Sequence, residues 1–133
     1  MTTLQRLSHR TRTAIRIVTA FVLIRRMMGR SELPDLVHHL ASSARPHRAA
    51  QHPRTLGRAV AAVLRVGPLR ARCLVTSLVL YRLLREDGYA PVLVIGMPEK
   101  ADTPMAHAWV EIAGHDVGPP PGRGHHLELL RLS

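Results

Sequence analysis

The spacing of apolar residues over the first two-thirds of the chain predicts four helices, because these residues recur every three or four positions. The first predicted helix covers residues 12–28. Its apolar side consists of Ile15, Val18 and Val22, and the Arg25–Arg26 pair gives this side a basic edge. Exposed apolar surface with a polar rim is typical of interaction sites, so we expect this helix to dock a partner.

The second and third helices are each predicted to bury one face. The second lies within residues 30–44, with Ser31 or Asp35 as its N-cap. Its predicted buried stripe consists of Leu33, Leu36, Val37, Leu40 and Ala41. Residues 45–53 form a predicted linker, and the third helix begins at Pro53, since proline is tolerated in a first helical turn. The inward stripe of this third helix consists of Leu56, Val60, Val63 and Leu64.

The fourth helix is predicted to run from Cys73 to Asp87, with Gly88 as its C-terminal stop. Apolar residues cover most of its circumference: Leu74, Val75, Leu78, Val79, Leu80, Leu83 and Leu84. A helix that is apolar on most sides is buried on most sides. We therefore expect this helix to lie at the centre of the molecule.

The last third of the chain shows the patterns of β-strands. Residues 90–96 form a short apolar run rich in β-branched residues, and residues 105–112 alternate strictly. His107, Trp109 and Glu111 share one face of the second strand, and Ala106, Ala108, Val110 and Ile112 share the other. A turn at residues 113–114 leads into a strand at 115–118, and residues 125–133 fit either a helix or a strand. Helices followed by a small antiparallel sheet predict an α+β fold.

The length of 133 residues predicts one domain, in which helices at 1–52 precede a core at 53–133. Cys73 is the only cysteine and has no partner for an internal disulfide, so we expect a reducing, cytoplasmic location. The apolar run at residues 17–24 has no small-residue cleavage site after it, and its eight residues are far short of a membrane span of about 20. Peripheral membrane contact stays open.

The formal net charge of +10 raises nucleic-acid binding first. The arginines are scattered along the chain, and aromatic residues make up only 3% of it, which leaves few platforms for base stacking. We therefore predict no nucleic-acid partner; an acidic protein or peptide would use the same positive charge. The histidine pairs at 38–39 and 125–126 lack the spacing of a metal cage, and no glycine-rich phosphate loop is present, so we predict no metal and no cofactor.

Cys73 is a candidate nucleophile because a helix start stabilises a thiolate, and Arg70 and Arg72 would add to this effect. His107 lies 34 residues further along. If the strand face that carries His107 packs over the helix start, the two residues form a Cys–His acyl-transfer site that Trp109 shields from water. Alternatively, Cys73 is a buried small hydrophobe and His107 is one of nine histidines.

Two stretches add a family resemblance. "CLVTSLVLYRLLREDGYAPVLVIGMP" and "AHAWVEIAG" resemble the transglutaminase-like cysteine peptidases that mature lasso peptides, and the similarity covers roughly residues 68–118. The resemblance implies a transglutaminase- and papain-like core with Cys73 as nucleophile and His107 as general base and acid. It also implies removal of a leader from a ribosomally made precursor, together with a separate leader-recognition protein and an ATP-dependent macrolactam synthetase.

The third catalytic residue of that family has no clear counterpart here. The family has an aspartate some twelve residues after the histidine, where this chain has Pro119, and Asp116 is the nearest acid downstream of the histidine strand. A two-residue turn would pair Asp116 with Glu111, which is four residues, or about 13 Å, from His107. Three alternatives stay open: a rearranged hairpin that recruits Asp116, a Cys–His dyad oriented by a backbone carbonyl, or a weakened enzyme.

Three other functions also stay open. An acyl transferase of the same fold would pass the acyl group to an amine instead of water. A non-catalytic scaffold would carry an inert thiol, and a basic nucleic-acid binder would lose affinity steeply with salt.

Overall fold

The computed structural model describes residues 2–47, 50–65, 73–98, 106–119 and 126–133. Four helices come first in the chain: α1 (Thr3–Met27), α2 (Leu33–Ser42), α3 (Pro53–Leu64) and α4 (Cys73–Glu86). Four strands follow: β1 (Val92–Pro98), β2 (His107–Ile112), β3 (His115–Gly118) and β4 (His126–Leu132). The strands form one antiparallel sheet in the order β3-β2-β1-β4. The predicted α+β fold is confirmed.

Helix α1 begins at Thr3 rather than at residue 12. A capping box explains the earlier start: the Thr2 hydroxyl accepts a hydrogen bond from the Gln5 backbone N–H, and the Gln5 side chain accepts one from the Thr2 backbone. The helix packs on the core through Thr13, Ile17, Ala20 and Ile24. The apolar side predicted for docking points away from that core.

The predicted start of α3 at Pro53 is confirmed, whereas the predicted cap of α2 is wrong. Glu32 is the N-cap of α2 and makes no side-chain capping bond, and Pro34 lies in the first turn with its φ already suited to a helix. Leu36, Val37 and Leu40 form the buried face of α2, as expected.

Helix α4 is the central helix that its sequence predicted. Its buried residues are Val75, Thr76, Ser77, Leu78, Val79, Leu80, Tyr81, Leu83 and Leu84. It contacts the other three helices on several sides and strands β1 and β2 on another. The helix ends before Gly88, whose φ of +90° is a left-handed conformation that glycine adopts without strain.

A polar network ties the N-terminal helices to the end of α4. Asp87 is buried, and its carboxylate accepts hydrogen bonds from the Arg16 guanidinium at 2.8 Å and the Gln51 backbone N–H at 3.1 Å. Arg82 donates to the Leu40 carbonyl at 2.9 Å and to the Ser43 hydroxyl at 2.7 Å. These bonds fix α1, α2 and the segment before α3 on one end of α4.

The β2–β3 hairpin has the predicted two-residue turn. Ala113 and Gly114 have φ angles of 51° and 80°, and positive φ at both turn residues matches the right-handed twist of the flanking strands. Leu93, Ala108 and Val110 face the helices, so Val94, Trp109 and Glu111 lie on the opposite face of the sheet. The tail forms strand β4 beside β1. Among the described residues, none of the helices combines the length and apolar character needed to span a membrane.

Candidate active site

The start of α4 lies against the start of β2. Cys73 is half-buried, and its thiol donates to the Ala106 carbonyl oxygen with a sulfur–oxygen distance of 3.9 Å. That carbonyl belongs to the peptide bond that leads into His107, so the sulfur lies within about 6.5 Å of the His107 backbone nitrogen. The structure therefore places the Cys73 sulfur beside the peptide bond that leads into His107, 34 positions further along the chain.

The packing between α4 and β2 differs from our expectation. Ala108 and Val110, on the alternate face of the strand, belong to the apolar core that contains α4. His107 is the first residue of β2, pairs with Gly96 of β1 and is half-buried. Cys73 therefore lies near the end of β2 at which His107 begins the strand, and the face that carries Trp109 does not cover the helix.

Trp109 lies beside His107 on the far face of the sheet. It is buried and pairs with Val94, and its ring extends along the sheet over Gly96. A Cβ added to Gly96 would lie 2.8 Å from Trp109 Cη2 and 2.8 Å from the Leu127 carbonyl oxygen. Gly96 is the cross-strand partner of His107. Because glycine has no side chain, the indole of Trp109 can lie over Gly96 and therefore next to the histidine.

A buried carboxylate holds that indole. Glu111 is only 2% exposed, accepts a hydrogen bond from Trp109 Nε1 at 2.9 Å and binds the Arg131 guanidinium at 2.8 Å. The bond to Glu111, and after it the bond to Glu128, raises the pKa of Arg131. Glu111 is thus a buried strand residue, and Arg131 is its ion-pair partner. Trp109 and Glu111 are two positions apart in the strand, and this spacing indicates that their side chains lie on the same face.

Asp116 pairs with Glu111 across the hairpin, as the short turn predicted. A bulge follows, so that Val110 pairs with Gly118. Asp116 precedes this bulge and stays four residues, or about 13 Å, from His107 along the sheet. One of its carboxylate oxygens accepts a hydrogen bond from the Gly118 backbone N–H at 2.7 Å. The hairpin is therefore not rearranged in a way that carries Asp116 toward His107.

Pro119 lies twelve residues after His107, where the resemblance described above leads us to expect an aspartate. It is buried, directly follows β3 and is joined to Gly118 by a cis peptide bond. Gly118, the residue before it, pairs with Val110, which is three residues from His107. A proline side chain accepts no hydrogen bond, so this position supplies no side-chain group to orient an imidazole.

The other candidate residues lie either outside the described residues or on the surface of α2. Arg70, Arg72 and His125 lie outside the described residues. His38 and His39 are exposed on α2. Within the described ranges, no three histidine, cysteine or acidic side chains come together as a metal site.

Comparison with known proteins gives one match. No curated protein and no solved structure is significantly similar to the chain. Residues 15–130 match the family described as the transglutaminase-like superfamily, which includes cysteine peptidases and acyltransferases. The match extends from α1 into β4 and contains both Cys73 and His107. The chain therefore belongs to the transglutaminase-like superfamily.

Proposed function

We propose that the protein is a cysteine peptidase in which Cys73 is the nucleophile and His107 the general base and acid. The observation that carries this proposal is the contact between the Cys73 thiol and the carbonyl that precedes His107. Membership of a superfamily of thiol-dependent acyl-transfer enzymes supports the same chemistry. The half-buried thiol at a helix start also fits a nucleophile better than it fits a packing residue.

The reaction proceeds through an acyl-enzyme. His107 takes the thiol proton, and the Cys73 sulfur attacks the carbonyl carbon of the scissile peptide bond. The Cys73 backbone N–H, which points out of the start of α4, stabilises the oxyanion of the tetrahedral intermediate. Protonated His107 then gives its proton to the leaving amine as the carbon–nitrogen bond breaks. Finally, His107 takes a proton from water, which attacks the thioester and releases the carboxylate and the Cys73 thiol.

The proposed centre is a dyad. Asp116 is held at the β3 end of the hairpin, and the Pro119 side chain has no acceptor group. We therefore assign the orientation of the imidazole to the surroundings of His107, where Trp109 is fixed by Glu111. A dyad predicts slower turnover than a centre with an aspartate behind the histidine.

The proposed substrate is the precursor of a lasso peptide, cut between leader and core. The support for this step is the resemblance of the Cys73 helix and the "AHAWVE" strand to the peptidases of that pathway. The partners would be a separate leader-recognition protein and an ATP-dependent macrolactam synthetase, and the location would be the cytoplasm. The chain itself would need no cofactor.

Cleavage of a precursor by single-residue variants tests the proposal. The precursor and its leader-recognition protein are incubated with the wild type, Cys73→Ala, His107→Ala and His115→Ala, and the products are weighed by mass spectrometry. We expect Cys73→Ala and His107→Ala each to lose roughly 10³-fold or more in rate. His115→Ala is the matched histidine control, because His115 is exposed in β3, and should keep the wild-type rate.

The products also separate the alternatives. Reaction in heavy-oxygen water labels the new carboxylate of a hydrolase, whereas an acyl transferase gives a product that carries the added amine. Wild-type cleavage by Cys73→Ala would exclude the thiol mechanism. A tenfold or greater loss in Asp116→Asn, with folding intact, would replace the dyad by a triad.

A further inference from the structure

Helix α1 carries an exposed row of apolar side chains, which we call the α1 stripe. Its members are Leu4, Leu7, Ile15, Val18 and Val22, with side-chain exposures of 79%, 55%, 60%, 36% and 41%. They recur at three- and four-residue intervals, interrupted only at Thr11. At 3.6 residues per turn, this spacing makes a straight line along the helix, about 27 Å long from Leu4 to Val22.

The stripe lies opposite the face that packs on the core. The buried residues Ile17, Ala20 and Ile24 each come two positions after a member of the stripe, which is about 200° around the helix. Residues 2–12 are exposed at every position, so the first turns of α1 extend beyond the core. Within the part of the chain that the structure describes, nothing covers Leu4 or Leu7.

The charges that α1 itself contributes beside the stripe all have one sign. Helix α1 contains six arginines and no acidic residue. Arg25 and Arg26 follow Val22 by three and four positions and therefore lie on either side of the end of the stripe, and Arg12 lies along one edge. Among the ion pairs of the described residues, Arg16 is the only arginine of α1 with an acidic partner. The edges of the stripe thus carry unpaired positive charge.

We propose that the α1 stripe docks an amphipathic helix of another protein whose apolar face is bordered by acidic residues. Two helices that pack side by side bury such stripes against each other, and carboxylates along the partner's edges would pair with Arg12, Arg25 and Arg26. A second copy of α1 fits less well, because it would bring arginines and no carboxylates to the contact. A membrane surface fits less well too, since the stripe contains none of the aromatic side chains typical of interfacial helices.

This inference rests on the proposed function in one respect, which is that a partner delivers the precursor. Its test measures binding instead of cleavage, so the two proposals fail separately. Cys73→Ala should bind the probe as the wild type does. If it does so and no variant or partner yields cleavage, the docking surface stands and the peptidase does not.

The probe is a synthetic helical peptide of 21 residues with leucines along one face and glutamates on both edges of that face. A second peptide has lysines in place of the glutamates. Binding of each fluorescently labelled peptide to the full chain is followed by anisotropy at low and at physiological salt. We expect the glutamate peptide to bind and the lysine peptide to bind at least tenfold more weakly.

Matched variants locate the site. Ile15→Ser with Val18→Ser removes the middle of the stripe and should weaken binding of the glutamate peptide tenfold or more. Arg25→Gln with Arg26→Gln should weaken it several-fold and reduce its salt dependence. Arg54→Gln with Arg58→Gln removes the same charge from exposed positions of α3 and should leave binding unchanged. All these residues are exposed, and circular dichroism verifies that the variants fold.

Other outcomes overturn the proposal. Equal binding of the two peptides, or equal binding by the Ile15→Ser/Val18→Ser variant, excludes the stripe as an acidic-helix site. A dimer in sedimentation that Ile15→Ser/Val18→Ser dissociates assigns the stripe to a second copy. Binding to phosphatidylglycerol vesicles that this variant loses, without binding of the glutamate peptide, assigns it to a membrane.

Discussion

At the scale of single residues, Glu111 is a buried carboxylate that two side chains bind. Its carboxylate is buried between the Trp109 N–H and the Arg131 guanidinium, and both bonds are shorter than 3 Å. Arg131 also pairs with Glu128, which is exposed on β4. The chain thus offers two carboxylates that bind the same arginine, one buried and one at the surface.

We predict that Glu111→Gln lowers the free energy of unfolding by about 1–3 kcal/mol and that Glu128→Gln changes it by less than about 0.5 kcal/mol. A glutamine at 111 cannot accept from both donors without directing its own N–H₂ group at one of them. The surface pair is weakened by water and by side-chain entropy. Urea unfolding of both variants measures the difference, and equal losses would mean that burial of Glu111 is not what gives the contact its strength.

Sequence reasoning could place Cys73 at a helix start and His107 on a strand because each lies in a local pattern. It could also place Asp116 opposite Glu111, since a two-residue turn fixes the register. It could not find the bulge after Asp116 or the contact of Trp109 with Gly96. Both depend on side chains of neighbouring strands, which no single stretch of sequence contains.

At the scale of elements, α4 is buried so completely that two of its hydroxyls, those of Ser77 and Tyr81, have no hydrogen-bond partner among the described residues. Tyr81 is 0% exposed, and its hydroxyl makes no hydrogen bond among the described residues. Tyr89, just after the helix, donates its hydroxyl to the Gln51 carbonyl at 3.0 Å. The Tyr89 hydroxyl therefore contributes a hydrogen bond to the stability of the fold, whereas the Tyr81 hydroxyl contributes none among the described residues.

We predict that Tyr81→Phe leaves the free energy of unfolding at pH 7 unchanged or raises it, whereas Tyr89→Phe lowers it by about 1 kcal/mol. Removing a hydroxyl without a partner costs no hydrogen bond, and removing the Tyr89 hydroxyl costs one. Chemical denaturation at pH 7 gives both values. A loss of more than about 1 kcal/mol in Tyr81→Phe would reveal a partner for that hydroxyl.

The substitution Tyr81→Phe should also change how the stability of the protein depends on pH. Burial raises the pKa of Tyr81 above its ordinary value of 10.0, an effect that the positive charge of Arg85 partly offsets. The unfolded chain ionises this tyrosine near pH 10 while the folded chain keeps it neutral. The wild type therefore loses stability as the pH rises above 10, and Tyr81→Phe should lose less over the same range.

The elements themselves were predictable to different degrees. The bounds of α3 and α4 follow from Pro53 and Gly88, whose backbone preferences act locally. The early start of α1 depends on the capping bonds between Thr2 and Gln5. Leu4 and Leu7 are the only apolar residues in positions 3–12, which was too little to predict a helix there. The sequence of the tail fits either a helix or a strand. It is a strand because it pairs with β1, which is a long-range contact that the local sequence does not show.

At the scale of the whole molecule, stability should be distributed unevenly. The residues of α4 lie in a core shared by all four helices and the sheet, while residues 2–12 of α1 are exposed at every position. Helical segments shorter than about 12–15 residues are marginal in water without packing. The fold therefore combines a buried centre with a helical end that the described residues leave exposed.

Hydrogen exchange followed by mass spectrometry should show this contrast directly. We predict that amides of residues 5–12 exchange orders of magnitude faster than those of residues 75–84, which open only with global unfolding. Addition of the glutamate-edged peptide should slow exchange at 5–12 and leave 75–84 unchanged, because docking stabilises the exposed turns and the core is already closed. Equal protection of both segments in the isolated chain would mean that the start of α1 is already covered in solution, and the stripe would then belong to an interface between copies.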